Sequence, residues 1–138
     1  MDLKFNHVGL VVEDLEKSAD FYVNVLKMKK KTEIIFDPKQ RVNLLFVEDQ
    51  KISGLVYELI QPIDENSPSA QWLEKGNSLQ HFCYEVEDIQ KGIDYLKKNG
   101  GMLFVRPIPA VAFNNRLIAF LLTKERVIIE LLESDKKY

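Results

Sequence analysis

Cysteine, glycine and proline are scarce in this sequence, whose 138 residues include one cysteine, six glycines and five prolines. The single cysteine, Cys83, excludes an intramolecular disulfide and fits a reducing compartment. It lies in an apolar stretch, where a buried structural thiol is expected rather than a nucleophile. The low glycine and proline content argues against a disordered chain, and 46% hydrophobic residues suffice for a core.

Long apolar runs and an excess of one charge are also lacking. The longest apolar stretches, such as Leu117–Leu122, are far too short to cross a bilayer. The first residues contain no apolar core of signal-peptide length. The net charge of −2 gives no reason to expect nucleic acid or an anionic membrane as a partner. These absences predict a cytoplasmic protein.

The sequence repeats itself once. The segment His7–Lys17 aligns with His81–Lys91, so that the histidine, a valine, a Glu-Asp pair and a lysine coincide. Near the end of each half, Val56–Ile60 aligns with Ile128–Leu132, and Glu58 then matches Glu130. Similarity at a fixed spacing indicates a duplicated structural unit. The expected product is a pseudo-symmetric pair of modules.

Each half is predicted to form a β-α-β-β-β module, which places the chain in the α+β class. The first strands are expected at 3–12 and 79–86, and Asp14 and Asp88 read as N-caps of the helices that follow. The remaining strands are predicted at Lys31–Phe36, Val42–Val47, Gly54–Ile60, Met102–Arg106, Arg116–Leu122 and Val127–Leu132. Pro107 and Pro109 are expected to break the chain between Met102–Arg106 and Arg116–Leu122, the fourth and fifth of these six strands. The predicted organisation is a module at 1–61, a linker at 62–76 and a module at 77–138.

Four polar residues lie among apolar neighbours on the predicted strands. Side chains two apart on a strand share a face, so His7, Glu58, His81 and Glu130 all fall on mostly apolar faces. Buried carboxylates need cations or protons to offset their charge. Two imidazoles and two carboxylates suit Zn²⁺, Ni²⁺, Co²⁺, Mn²⁺ or Fe²⁺. The alternatives are a hydrogen-bonded core histidine and a glutamate that faces solvent from an edge strand.

The order of these motifs resembles the vicinal oxygen chelate superfamily, in its glyoxalase I and methylmalonyl-CoA epimerase branch. The resemblance is carried by Asn6–Gly9, Glu13–Leu15, Tyr57–Leu59, His81–Ile89 and Ile129–Leu131, and it covers nearly the whole chain. It implies the glyoxalase/bleomycin-resistance/dioxygenase fold, in which tandem βαβββ modules form a cupped mixed β-sheet around a metal. The implied ligands are His7, Glu58, His81 and Glu130, and one divalent ion, Zn, Ni or Co, is the expected cofactor.

The resemblance implies proton transfer next to a carbonyl. The leading interpretation is a glyoxalase I-like lyase or isomerase that works through an enediolate, since glyoxalase I has a glutamate ligand at the position of Glu58 and the epimerase a glutamine. The alternatives are an epimerase of an acyl-thioester, which the linker Asp64–Pro68 favours, and a metal-free small-molecule-binding protein. The epimerase's additional catalytic carboxylate maps to Asn43, which cannot act as a base.

Specific roles follow for the individual residues. Glu130 is expected to be the catalytic base and Glu58 its partner on the opposite face, both also ligating the metal. Asn43 and Arg116 are candidates for holding the polar end of the substrate, although Arg116 can equally form a structural ion pair. The expected partners are a thiol adduct or acyl-thioester substrate and, by family analogy, a second copy of the chain in a homodimer.

Overall fold

The structure is a computed structural model that describes residues 1–76 and 78–135. Within these residues the chain forms nine strands and three α-helices. In chain order they are β1 (Lys4–Val11), α1 (Leu15–Asp20), β2 (Lys29–Lys30), β3 (Ile35–Asp37), β4 (Val42–Glu48), β5 (Val56–Pro62), α2 (Pro68–Glu74), β6 (Leu79–Val86), α3 (Ile89–Lys98), β7 (Met102–Ala110), β8 (Arg116–Leu122) and β9 (Ile128–Glu133). The predicted α+β class is confirmed. The second half has the βαβββ order, and the first half has the same order with one additional short strand.

Both helices that follow a histidine-bearing strand begin as the sequence predicts. Asp14 accepts a hydrogen bond from the backbone N–H of Lys17 at 3.0 Å, and Asp88 accepts one from Lys91 at 3.1 Å. A carboxylate in this position satisfies one of the backbone donors that a helix start leaves unpaired. Helix α1 continues into a π-helical turn at Phe21–Val25.

The chain divides into two compact units, and the predicted division into 1–61, 62–76 and 77–138 stays a prediction. One unit runs from His7 to Gln80, and the other combines Met1–Asn6 with the chain from His81 onward. In the His7–Gln80 unit β4 pairs antiparallel with β2, β3 and β5, and β5 pairs parallel with β1. In the other unit β8 pairs antiparallel with β7 and β9, and β9 pairs parallel with β6.

Each unit has its own hydrophobic core between the helix and one face of its strands. In the His7–Gln80 unit the core comprises Leu15, Met28, Leu45, Val47 and Leu59. In the other unit it comprises Val86, Ile89, Ile93, Ala119, Leu121 and Leu131. Because residues alternate across a strand, the opposite faces of these strands are left for the polar residues described below.

Two of the predicted strands differ in the structure. Of the strand expected at Lys31–Phe36, only the last two residues are in a strand, β3, while the short strand β2 lies before the predicted range; β2 and β3 pair with different parts of β4. The strand expected to end at Arg106 continues through Pro107 and Pro109 to Ala110. Strand β7 pairs only with β8 among the described strands, and an edge position tolerates proline because one side of the backbone needs no ladder partner.

Candidate functional site

A histidine and a glutamate meet inside the His7–Gln80 unit. Strands β1 and β5 run parallel with Gly9 opposite Glu58, and His7 shares the face of Gly9. The His7 Nε2 atom lies 3.3 Å from Glu58 Oε1. Both residues are buried, with 0% of His7 and 6% of Glu58 exposed. Phe46 lies opposite Glu58 on β4, and its ring contacts the His7 imidazole edge-on at 5.5 Å.

The second unit contains the same arrangement. Strands β6 and β9 run parallel with Cys83 opposite Glu130, and His81 shares the face of Cys83. The His81 Nε2 atom lies 3.2 Å from Glu130 Oε1, and the two residues are 2% and 3% exposed. Phe120 lies opposite Glu130 on β8, and its ring contacts the His81 imidazole edge-on at 5.6 Å.

The two pairs therefore match in register, in burial and in their aromatic neighbour. In both, the Nε2 atom of the imidazole faces a carboxylate oxygen, and these two atom types bind borderline divalent cations. Buried carboxylates require a proton, a cation or several hydrogen bonds to offset the loss of water. Each pair thus supplies one nitrogen and one oxygen donor suited to a metal, and the donor chemistry fits the cofactor implied by the sequence.

Asn43 lies on β4, but not on the face of Phe46. It is opposite Phe36 on β3 and Gln61 on β5, and by alternation it shares the face of Leu45 and Val47, which pack against α1. Within its unit, Asn43 is therefore on the helix side of the strands, whereas Glu58 is on the other side. Its role as a substrate contact stays a prediction.

Arg116 is on the same face of β8 as Phe120, and its guanidinium forms hydrogen bonds with other residues of the protein. Its Nη1 atom donates to Glu85 Oε1 at 2.9 Å, and its Nε donates to the Phe113 carbonyl at 3.3 Å. The guanidinium also stacks over the Phe113 ring at 5.6 Å. Glu85 continues the face of His81 and Cys83 on β6. The geometry thus contains the structural ion pair that was one of two alternatives for Arg116.

Sequence reasoning missed two residues that hold the helices beside the pairs. Gln61 follows Glu58 by three positions, and its Oε1 accepts a hydrogen bond from Leu15 N at 2.8 Å. Glu133 follows Glu130 by three positions, and its Oε2 accepts one from Ile89 N at 3.1 Å. The signal was present in the repeat, since both are polar acceptors at the same distance after the aligned glutamate.

The duplicated unit, with a buried His–Glu pair in each copy, is the feature that the comparison with known families can test. The chain matches the Glyoxalase/Bleomycin resistance protein/Dioxygenase superfamily over residues 6–120 and belongs to that superfamily. This confirms the resemblance to the vicinal oxygen chelate proteins that the sequence motifs suggested.

Several relatives of the chain are enzymes. The chain is 32% identical over 124 residues to an ethylmalonyl-CoA/methylmalonyl-CoA epimerase of Cereibacter sphaeroides, covering 88% of this chain and 90% of the relative. It is 30% identical over 132 residues to a lactoylglutathione lyase of Neisseria meningitidis, covering 95% and 91%. A crystal structure of methylmalonyl-CoA epimerase from Mycobacterium tuberculosis superposes with a TM-score of 0.82 at 26% identity, covering 96% of this chain and 89% of that one.

These relatives favour the epimerase alternative over the lyase that the sequence placed first.

None of the helices in residues 1–76 and 78–135 has the length and apolar character needed to span a membrane.

Proposed function

We propose that the chain is a divalent-metal-dependent epimerase of an acyl-CoA thioester, which moves the proton on the carbon next to the thioester carbonyl. The observation that carries the proposal is the pair of buried His–Glu contacts in matching register, His7–Glu58 and His81–Glu130. They occur in a chain that is 32% identical over most of its length to an ethylmalonyl-CoA/methylmalonyl-CoA epimerase.

The four residues would together hold one metal ion. Each offers one ligand atom, and all four are buried, which gives a donor set of two imidazole nitrogens and two carboxylate oxygens. Zn²⁺, Ni²⁺ or Co²⁺ fits such a set. When bound, the ion supplies Lewis-acid stabilisation to the carbonyl oxygen as negative charge develops there.

The two carboxylates account for inversion at carbon. Glu130 accepts the proton as the C–H bond breaks, and the electron pair of that bond passes towards the thioester carbonyl. Both glutamates would ligate the ion at rest, and a glutamate would leave the ion to move a proton. Glu58, protonated and detached from the ion, returns a proton to the opposite face of the same carbon. The buried surroundings of both groups exclude water, which strengthens the electrostatic interactions with the developing charge.

A glyoxalase I-type lyase is the second candidate, and Glu58 is the observation that favours it. Glyoxalase I also has a glutamate at the position of Glu58. The relative from Neisseria meningitidis is a lactoylglutathione lyase. Its substrate would be the hemithioacetal of a thiol and an α-oxoaldehyde. The proton chemistry at the carbon is of the same kind, so the substrate decides between the two functions.

Metal analysis and deuterium exchange test these functions together. Purified protein is analysed for bound metal and then incubated in D₂O with one epimer of methylmalonyl-CoA, with ethylmalonyl-CoA, or with the glutathione hemithioacetal of methylglyoxal. An epimerase exchanges the α-hydrogen of the acyl-CoA and forms the other epimer. Conversion of the hemithioacetal alone would support the lyase instead. A metal-free protein that binds these compounds without exchange would contradict both and support a binding protein.

The expected homodimer and the cytoplasmic location belong to the same proposal. Light scattering of the purified protein measures the first, since a dimer has twice the 16.0 kDa mass of the chain. Fractionation of the source cells measures the second.

A further inference from the structure

A groove lies where the end of α3 meets the edge strand β7. It has a volume of about 470 Å³ and lies wholly within the unit that contains His81. Its lining residues are Lys97, Gly101, Met102, Leu103, Phe104 and Arg106. The groove is thus separate in sequence from both His–Glu pairs, although it shares a unit with one of them.

The lining combines positive charge with exposed apolar surface. Lys97 and Arg106 are the charged members, and the lining contains no acidic residue. Met102 and Phe104 are 60% and 50% exposed, which is high for side chains of this size. Two cations beside an exposed aromatic ring suit a ligand that carries both phosphate and a flat aromatic base.

The backbone explains how the groove forms. The register of β7 against β8 shifts twice, between Leu103 and Val105 and between Val105 and Ile108. Such irregularities bend an edge strand and redirect its side chains. Gly101 lets the chain pass close to the end of α3, because a Cβ there would lie 2.8 Å from the carbonyl oxygen of Leu96.

A chain of aromatic contacts connects the groove with the His81–Glu130 pair. The Phe104 ring lies 6.1 Å from that of Phe120, and the Phe120 ring lies 5.6 Å from the His81 imidazole. Phe120 is also directly opposite Glu130 on the neighbouring strand. A flexible pantetheine arm is long enough to run past two such contacts, so one substrate can reach both places.

We propose that this groove binds the phosphorylated adenosine end of a CoA thioester. Lys97 and Arg106 contact its phosphates, Phe104 stacks against the adenine, and the pantetheine arm passes Phe120 towards Glu130. This inference rests on the proposed function and names the part of the substrate that distinguishes a CoA thioester from a glutathione adduct. Glutathione carries carboxylates but no aromatic base for Phe104.

Nucleotide binding without turnover tests the groove directly. Adenosine 3′,5′-bisphosphate and CoA are titrated into the wild-type protein and into Lys97→Ala/Arg106→Ala by calorimetry. Loss of two solvent-exposed, charge-assisted contacts is expected to weaken binding of both by about tenfold, and added salt should reduce the difference. Lys98→Ala is the matched control, because it removes the adjacent charge of the same helix turn without touching the groove.

Kinetics with a shortened substrate provides the second readout. The ratio of KM for an acyl-pantetheine to KM for the acyl-CoA reports the benefit of the nucleotide, and it is expected to fall about tenfold in Lys97→Ala/Arg106→Ala. Equal nucleotide affinity in the wild type and the double variant would contradict the proposed binding of the nucleotide in the groove, but it would not contradict the proposed epimerase activity. Bisphosphate binding that depends on Lys97 and Arg106 in a protein inactive on acyl-CoA would support the groove and overturn the proposed function.

Discussion

Gln61 accepts a hydrogen bond from the backbone N–H of Leu15 through its Oε1 atom at 2.8 Å. The bond joins the strand that carries Glu58 to the first residue of α1. Glu133 and Ile89 repeat the relationship in the other unit at 3.1 Å. In each unit, the strand that carries the glutamate of the His–Glu pair also satisfies a backbone donor at the helix start. This hydrogen bond links the position of the helix to that of the carboxylate.

Removing the Gln61 acceptor should destabilise the fold. Gln61→Ala leaves a part-buried helix N–H without its partner, and the free energy of unfolding should fall by about 1 kcal/mol, within the range of roughly 0.5–2 kcal/mol typical of lost helix caps. Urea unfolding measures the change. Gln71→Ala, an exposed position on α2, is the control and should alter stability far less. Equal effects of the two substitutions would contradict the role of Gln61.

The histidines of the two His–Glu pairs could be predicted from sequence because the pattern that identifies them is local. His7 and His81 are the two histidines of the chain, they fall at equivalent positions, and alternation along a strand fixes which neighbours share their face. The same applies to the caps Asp14 and Asp88, since an N-cap acts over three residues. The structure places these features as the pattern predicts.

The remaining features depend on interactions distant in sequence. The face on which Asn43 lies relative to Glu58 is set by the register of β4 against β5, and the loop between them determines that register. The Arg116–Glu85 contact joins residues 31 positions apart. The formation of β2 and β3 in place of one strand at Lys31–Phe36, and the continuation of β7 through Pro107, depend on which strands pair and which lies at an edge. No local sequence pattern predicts these three features.

Metal stoichiometry tests whether the two His–Glu pairs share an ion. A single shared site predicts one Zn²⁺, Ni²⁺ or Co²⁺ per chain, and either His7→Ala or His81→Ala should abolish the tight binding. At a metal concentration 100 times the Kd, binding stabilises the fold by about 2.7 kcal/mol, so the midpoint of thermal unfolding should rise in the wild type and in neither variant. Mass spectrometry of the native protein and thermal unfolding measure these effects.

The control for the histidine variants is Glu87→Gln, which changes an exposed carboxylate six residues after His81 and should keep the metal. Two ions per chain, each lost in only one histidine variant, would show that the pairs act separately.

Glu130→Gln should abolish turnover while retaining part of the metal, because glutamine can still offer a carbonyl oxygen but cannot accept the substrate proton. Loss of a general base lowers the rate by about 10²–10⁴-fold. The rate of epimer formation and the metal content are measured on the same sample. Normal turnover in Glu130→Gln would exclude this residue as the base.

The partner role of Glu58 has a stereochemical signature. If Glu130 and Glu58 serve opposite faces, Glu58→Gln should still exchange the α-hydrogen of one acyl-CoA epimer with D₂O but should not form the other epimer. Proton NMR of each pure epimer separates exchange from inversion. Loss of both processes to the same extent for both epimers would contradict the division of faces.

Arg116→Ala should reveal whether this residue is structural. Its guanidinium pairs with Glu85, whose side chain is only 17% exposed, so the substitution leaves a mostly buried carboxylate without its cation. The expected loss of unfolding free energy is about 1–3 kcal/mol, and Arg116→Ala/Glu85→Gln should recover part of it. Denaturant unfolding provides the values. A raised KM with unchanged stability would instead support the substrate contact.

The ion pair between Arg41 and Asp64 should be visible in the titration of Asp64. Hydrogen bonding from the Arg41 guanidinium, with further backbone donors at Asn66 and Ser67, holds the pKa of this carboxyl below its usual value of 3.8. A lowered pKa in the folded state means that the stabilising contribution is present above pH 3.8 and is lost as the pH falls through the lower, folded-state pKa. Carboxyl-detected NMR titration measures that pKa.

Arg41→Ala should raise the pKa of Asp64 towards 3.8 and remove this contribution to acid stability. Asp49 is the internal control, because its pKa is lowered first by the backbone N–H of Ile52 and then by that of Lys51, with no part played by Arg41. Its titration should therefore stay the same in the variant. A parallel shift of both carboxyls would mean that Arg41→Ala disturbs the unit as a whole, and an unshifted Asp64 would show that the guanidinium does not control its charge.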